Sequence, residues 1–356
     1  MNLDNLSVIQ KLDPQNMLAE IDNLPDQLAQ AWALGQNLPL PTQATIFNRV
    51  VISGMGGSAI GADLLAGYAA ERCAVPVIVH RDYGLPAFAS GKETLFIASS
   101  HSGNTEETLD SFEQALKRGC TILAVSTGGK LAEKAAAAGC PVWAFPHKGQ
   151  PRAAVGFSFG LLLAAFARLG LLPAQDELVA GAVTAMKTQQ KEIGVNVLAA
   201  QNPAKRYAGQ LVGRWVTVFG SGVLAVVARR WKGQINELAK APANFEYLPE
   251  ADHNTLAGVM NPSMELLVPH TMTLFLSAAS DHARNKTRAL ITRQTFMVEG
   301  MNSDVYVASG ESSLAQMWTA IHFGDYMAYY LAIAYGTDPT PVDALTTLKA
   351  VLAEQK

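Results

Sequence analysis

Short apolar runs alternate with helix-length amphipathic segments between residues 50 and 145, and the same alternation restarts at Trp215. In the first half the runs Val50 to Ser53, Val75 to Val79, Thr94 to Ser99, Thr121 to Ser126 and Val142 to Phe145 have strand length. Between them, helical periodicity is expected from Ala59 to Ala70, from Thr105 and from Lys130. Strands that return in parallel need crossovers, and helices supply them. This order therefore specifies a parallel sheet covered on both faces, with ligand-binding loops at the carboxyl ends of its strands. The second half repeats the order: a strand from Trp215, a helix from Leu224, a strand from Thr271 to Ser277, a helix from Asn285 to Glu299, a strand from Asp304 to Ala308 and an apolar helix from Leu314 to Tyr335. The expectation is an α/β protein with two doubly wound parallel sheets.

The domain reading follows from that pattern. Residues 1–45 form an N-terminal helical arm of polar segments broken by Pro14, Pro25, Pro39 and Pro41. Residues 46–153 form the first domain, 154–206 a helical connection, and 207–356 a second domain with C-terminal helices. The longest apolar run, Phe157 to Ala167, is too short to span a bilayer, which needs about 20 residues. Residues 1–10 lack the positive region and apolar stretch of a secretory signal. A net charge of −3 without a Lys or Arg run leaves no footprint for nucleic acid. Cys73, Cys120 and Cys140 are odd in number and widely spaced, which suits reduced thiols in the cytoplasm.

The segment Ser99-Ser100-His101-Ser102-Gly103-Asn104-Thr105-Glu106-Glu107-Thr108 joins an apolar strand to a helix. Unpaired N–H groups and the positive dipole end at a helix N-terminus favour an anion, and Ser and Thr hydroxyls add donors. A competing reading is purely local: Asn104 and Glu107 have the spacing of a capping box. A second segment, Ser53-Gly54-Met55-Gly56-Gly57-Ser58-Ala59-Ile60-Gly61, has the same strand, loop and helix order. Its glycines resemble a dinucleotide fingerprint, but Gly56 to Gly61 is two residues too long, and neither loop carries the Gly-Lys-Ser/Thr of a Walker loop. The two loops together read as a site for one small phosphomonoester.

Three further groups suit chemistry beside such an anion. Arg152, in Gln150-Pro151-Arg152-Ala153, lies just past the sheet edge, where a guanidinium stabilises a phosphate or a developing oxyanion; a solvated loop arginine is the alternative. Glu237 lies on the helix after Gly220-Ser221-Gly222, beside a face formed by Lys232, Asn236 and Lys240, and an ordinary solvated helix face competes with a role as base. His253, in Pro249-Glu250-Ala251-Asp252-His253-Asn254, has acidic and amide neighbours able to fix its tautomer at the start of a further helical stretch. A carboxylate base, an arginine, a histidine and a phosphate cradle suit proton abstraction next to a carbonyl. No His, Cys or carboxylate spacing suggests a metal site.

Together with the closing Pro341-Val342-Asp343 to Lys349, these segments resemble, in order over nearly the whole chain, the bifunctional phosphoglucose/phosphomannose isomerase family of sugar-isomerase (SIS) domain proteins. The resemblance implies two flavodoxin-like αβα SIS domains, a cytoplasmic homodimer, and cofactor-free and metal-independent interconversion of glucose 6-phosphate or mannose 6-phosphate with fructose 6-phosphate through a cis-enediol. It implies that Ser58, Ser100, Ser102 and Thr105, with the Gly57 backbone, bind phosphate. Glu237 would shuttle the proton between C1 and C2, and Arg152 would stabilise the enediolate. His253, supplied by the neighbouring subunit, and Lys349 would assist ring opening. The chain departs from the family pattern at His101, at Leu238, which breaks an Asn-Glu-Asn run, and at Val342, where a small polar residue is expected. A non-catalytic sugar-phosphate sensor built on the same cradle is the alternative function.

Overall fold

The computed structural model describes residues 2–42, 46–259, 261, 265 and 268–354. The first sheet contains β1 (Arg49–Ser53), β2 (Val77–His80), β3 (Thr94–Ser100), β4 (Thr121–Ser126) and β5 (Val142–Ala144), in the order β2-β1-β3-β4-β5 with every pair parallel. The helices α4 (Gly56–Ala69), α5 (Glu106–Lys117) and α6 (Gly129–Ala137) are its crossovers, and α7 (Val155–Arg168) follows. Side chains alternate across the strands. Val51, Phe96, Ala98, Ile122 and Ala124 pack with Phe112 and Ala115 of α5 and Leu131 and Ala135 of α6. Their neighbours Val50, Ile52, Leu95, Ile97, Leu123 and Val125 join α4 and α7 in the main core. Burial on both faces explains why these strands read as unbroken apolar runs.

The second sheet has the order β7-β6-β8-β9, again all parallel, from β6 (Trp215–Gly220), β7 (Ala243–Tyr247), β8 (Thr271–Ser277) and β9 (Ser303–Val307). One face packs on α10 (Val223–Leu238) and the long α12 (Ser313–Tyr335), which continue the main core of the first half. Phe219 and Phe275 on the other face stack at 4.6 Å and meet Phe296 of α11 (Ala283–Val298). Two parallel-sheet α/β units thus share one core. Strand β7 was not expected from sequence. It is a short edge strand with mostly half-exposed residues, Ala-Asn-Phe-Glu-Tyr, so no apolar run marks it.

Before the first sheet come α1 (Leu6–Leu12), α2 (Met17–Asp22) and α3 (Leu24–Gly35), while α8 (Asp176–Ile193) and α9 (Pro203–Leu211) link the halves and α13 (Asp343–Glu354) ends the chain. The initial helices carry more apolar surface than their sequence suggests. Leu28 and Ala31 are fully buried, and a Cβ on Gly160 of α7 would lie 2.7 Å from the Ala31 methyl. The buried Gln27 amide accepts from the Gly156 N–H at 2.7 Å and donates to the Ala153 carbonyl at 2.9 Å. In this way α3 is fastened to the segment that carries Arg152. Among the described residues no helix is long and apolar enough to cross a membrane.

Candidate active site

The loops after β1 and β3 meet where the strand order reverses, the usual position of a ligand in an open parallel sheet. The β1 loop leads into α4 and the β3 loop into α5, and neither helix has a side-chain cap: Met55 and Thr105 are the cap residues and make no side-chain capping bond. The capping-box reading of Asn104 and Glu107 is therefore incorrect. Asn104 turns away instead, accepting from the Lys130 N–H at 3.2 Å and donating to the Ser102 carbonyl at 3.1 Å. Two N-termini with orphan N–H groups consequently converge on one spot.

The hydroxyls are arranged around them. Ser58 and Ser100 are buried, Thr105 is half-buried and Ser102 is exposed. Ser58 Oγ accepts the His101 N–H at 3.0 Å, which docks one loop on the other. Ser100 Oγ lies 2.9 Å from Thr105 Oγ1 and accepts from the Gly103 N–H at 3.1 Å. Ser102 Oγ accepts from the Asn104 N–H at 3.2 Å. Gly54 permits the approach of the strands' ends, because a Cβ there would lie 2.8 Å from the Ser99 carbonyl oxygen.

Beside the loops a cavity of about 240 Å³ is lined by Gly56, Gly57, Arg81, Arg152, Gln234 and Glu237, among others. It brings together the halves of the chain. Arg152 stands on a 3₁₀ turn, Pro151–Ala153, and is 3% exposed, which rules out a solvated loop arginine. Its Nη2 donates to the carbonyls of Pro339 at 2.9 Å and Thr340 at 2.5 Å, and its Nη1 lies 3.7 Å from Glu237 Oε2. Burial pulls the guanidinium's pKa down, and Arg230 adds to that, while Glu237 and Asp338 oppose it. Arg152 Nε and Gln234 Oε1, both buried, lack a partner within the protein. A donor and an acceptor thus remain for a ligand.

Arginines missed by the sequence reading complete the walls. Arg230, on the same helix as Glu237, forms a two-point pair with Asp325 at 2.8 and 3.2 Å and donates to the Arg152 carbonyl at 2.8 Å. Asp63 pairs with Arg81 and, at 3.1 Å, with Arg229. Lys232 also lines the cavity. The available signal was Arg229-Arg230 directly after the apolar first turns of that helix, with Arg230 four residues before Gln234. A larger cavity of about 460 Å³ between α8 and β9 has no Lys or Arg in its lining, so it lacks the charge for a phosphate ester. Among the described residues no group of three or more His, Cys, Asp or Glu side chains is arranged to hold a metal ion.

Residues 200–352 match the bacterial phospho-glucose isomerase C-terminal SIS domain family. The chain is 42% identical over 347 residues to the bifunctional phosphoglucose/phosphomannose isomerase of Caldicellulosiruptor bescii, covering 96% of this chain and 100% of that one. This chain belongs to the bifunctional phosphoglucose/phosphomannose isomerase family. A second member, from Aquifex aeolicus, is 33% identical over 310 residues, covering 86% of this chain and 91% of that one. The fold is also that of a hypothetical protein from Thermus thermophilus, with a TM-score of 0.75 at 17% identity, covering 98% of this chain and 94% of that one.

Not every residue implied by the family resemblance reaches the cavity. Gly57, Arg152 and Glu237 line it; Ser58 follows Gly57 and holds the β3 loop at His101, while Ser100, Ser102 and Thr105 stand on that loop outside the lining. His253 and Lys349 stand apart and exposed. The neighbours of His253 do not fix its tautomer, contrary to expectation. Asp252 instead accepts from Thr292 at 2.7 Å and pairs with Arg288 at 3.0 Å, and Asn254 donates to Glu250 at 3.1 Å. Nor does His253 begin an α-helix; it closes a 3₁₀ turn, Glu250–His253. Lys240 leaves the face it was expected to share with Lys232 and Asn236, because α10 ends at Leu238 and Lys240 takes a left-handed φ of 55°. Val342 is half-buried, and the small polar residue beside the Arg152 guanidinium is Thr340, whose buried hydroxyl has no partner within the protein.

Proposed function

We propose that this chain is an aldose–ketose isomerase that interconverts glucose 6-phosphate and mannose 6-phosphate with fructose 6-phosphate. The observation that carries this reading is the placement of a carboxylate, Glu237, 3.7 Å from a buried arginine whose Nε is unpaired, in a cavity lined by the uncapped N-terminus of α4. The loops hold the phosphate through main-chain N–H groups, with Ser58, Ser100, Ser102 and Thr105 as hydroxyl partners. Glu237 takes the C2 proton of the open-chain aldose, and the C2–H electron pair moves to the carbonyl oxygen as a cis-enediolate forms. The same carboxylic acid returns the proton to C1, the O2 proton passes to O1, and C2 becomes the ketone as C1 becomes a hydroxymethyl group. Arg152 stabilises the negative oxygen during the step. Glucose and mannose 6-phosphates differ only at C2, which is planar in the intermediate, so one base serves both where rotation about the C2–C3 bond turns either face of C2 towards it.

Ring opening needs an acid and a base in addition to the carboxylate that moves the C2 proton. We assign it to His253 and Lys349 of a homodimer, each protomer serving its partner. The exposed positions of both residues support this, as do the exposed Leu345, Leu348, Val351 and Leu352 on the helix that carries Lys349. Three unpaired cysteines support a cytoplasmic setting. A coupled assay with both aldose phosphates, in the presence of EDTA, tests the function alongside Glu237→Gln. Loss of the base lowers kcat by about 10²–10⁴-fold with little change in KM. If the wild type binds the sugars but converts neither, the cradle belongs to a sensor; if Glu237→Gln keeps full activity, Glu237 is not the base.

A further inference from the structure

His101 stands in the middle of the hydroxyl loop, and its ring is tied to the N-terminal arm. His101 Nε2 lies 2.9 Å from His147 Nδ1, and His147 Nε2 lies 3.2 Å from Glu20 Oε2. Three distant segments meet in this chain of contacts: α2, the stretch after β5, and the loop between β3 and α5. The packing around it is close. A Cβ on Gly149 would lie 2.6 Å from Glu20 Oε1 and 2.9 Å from His147 Cε1, and the Phe145 ring meets His101 edge-on at 5.8 Å. The loop is also fixed at its backbone, where the His101 N–H donates to Ser58 Oγ at 3.0 Å and its carbonyl accepts from Thr127 Oγ1 at 2.7 Å.

The proton positions follow from the ends of the chain. An ionised carboxylate only accepts, so Glu20 takes the Nε2–H of His147. His147 Nδ1 is then a lone pair and takes the Nε2–H of His101. What remains is His101 Nδ1, the ring nitrogen that takes up a proton without breaking either bond. One proton added there leaves the sequence carboxylate, imidazole, imidazolium intact and places a positive charge within the loop.

We propose that His101 is a titratable member of the phosphate site that takes up a proton when a phosphate-like dianion binds, with Glu20 and His147 as positioning residues that set its tautomer. The proposal rests on the reading of the two loops as the phosphate cradle. In the free protein His101 is held down to about 4, first by burial and then by His147, with Glu20 opposing them; these two are the ionisable groups acting on the ring. A dianion in the loop pushes it up. The complex then holds more protons than the free protein, so affinity rises as pH falls.

Sulfate is the probe, because it stays a dianion throughout the range. Calorimetric titration at pH 6 in two buffers of different ionisation enthalpy counts the protons taken up. Wild type takes up a fraction of a proton per sulfate, and its affinity rises as pH falls from 8 to 6, by at most about tenfold per pH unit for one linked proton. In His101→Gln the uptake is abolished, and in Glu20→Gln, which leaves the loop sequence intact, it is reduced. The same linkage appears in KM for glucose 6-phosphate, which falls with pH in wild type relative to His101→Gln more than kcat changes. Equal proton uptake by wild type and His101→Gln overturns the proposal while leaving the cradle in place. Failure of the wild type to bind sulfate or glucose 6-phosphate overturns the cradle itself.

Discussion

His322 has the opposite task to His101: it must never carry charge. It is fully buried in α12, with Nε2 3.0 Å from the Ile21 carbonyl, which accepts its N–H, and with Nδ1 unpartnered within the protein. Burial lowers its pKa to about 4, against the ordinary 6.5. Between those values the unfolded chain binds a proton that the folded chain refuses, so stability increases with pH across the window and is lost as pH falls from 6.5 towards 4. Each such histidine contributes a slope of at most about 1.4 kcal/mol per pH unit. Urea unfolding between pH 7 and 4.5 measures it, and His322→Gln, less stable at pH 7, shows the shallower decline. From sequence alone packing was an adequate account of this histidine, and nothing in the alternation of apolar and polar residues marked it as one that burial holds uncharged.

At the scale of elements, the approach of α4 to the Pro151–Ala153 turn decides where Arg152 stands. A Cβ on Gly57 would lie 2.3 Å from the Pro151 carbonyl oxygen and 3.0 Å from the Arg152 nitrogen. Backbone cannot yield as a flexible side chain does. Gly57→Ala therefore displaces the turn, costing about 1–3 kcal/mol of stability by overpacking, and lowers kcat at least as strongly as it raises KM; urea unfolding and steady-state kinetics check both. The glycine was legible in sequence as part of a phosphate loop, but this packing reason was not, since Pro151 lies nearly a hundred residues away. The same distinction holds elsewhere. Strands β1, β3, β4, β6 and β8 were readable because burial on both faces leaves continuous apolar runs, whereas edge strand β7 was hidden by its exposed side. Asn104 and Glu107 had the spacing of a local cap, yet the contact Asn104 makes with the Lys130 N–H at the start of α6 won. Gln234 and Arg230 join the site through a helix face that sequence could place but not aim.

Among the described residues, helix α13 keeps a row of apolar side chains only half covered. Leu345, Leu348, Val351 and Leu352 of α13 are each 46–54% exposed, although covering such side chains is worth about 1.5–3 kcal/mol apiece. In the proposed homodimer a second copy covers them, and the same association brings Lys349 and His253 to the partner's cavity. An active site assembled from two chains has a signature that a site within one chain lacks. His253→Ala and Glu237→Gln are each nearly inactive as homodimers. When the two are unfolded together and refolded, or exchanged slowly at low concentration, half of the dimers are mixed. In a mixed dimer both substitutions fall on one site if His253 crosses the interface, and the other site is wild type. Activity then recovers to about a quarter of wild type for equal amounts and random pairing in a two-fold dimer. If His253 serves its own chain, every site keeps one defect and mixing recovers nothing. Light scattering on the same sample reports whether dimers formed, so a monomer would overturn the shared site, and a dimer without recovery would return His253 to its own protomer.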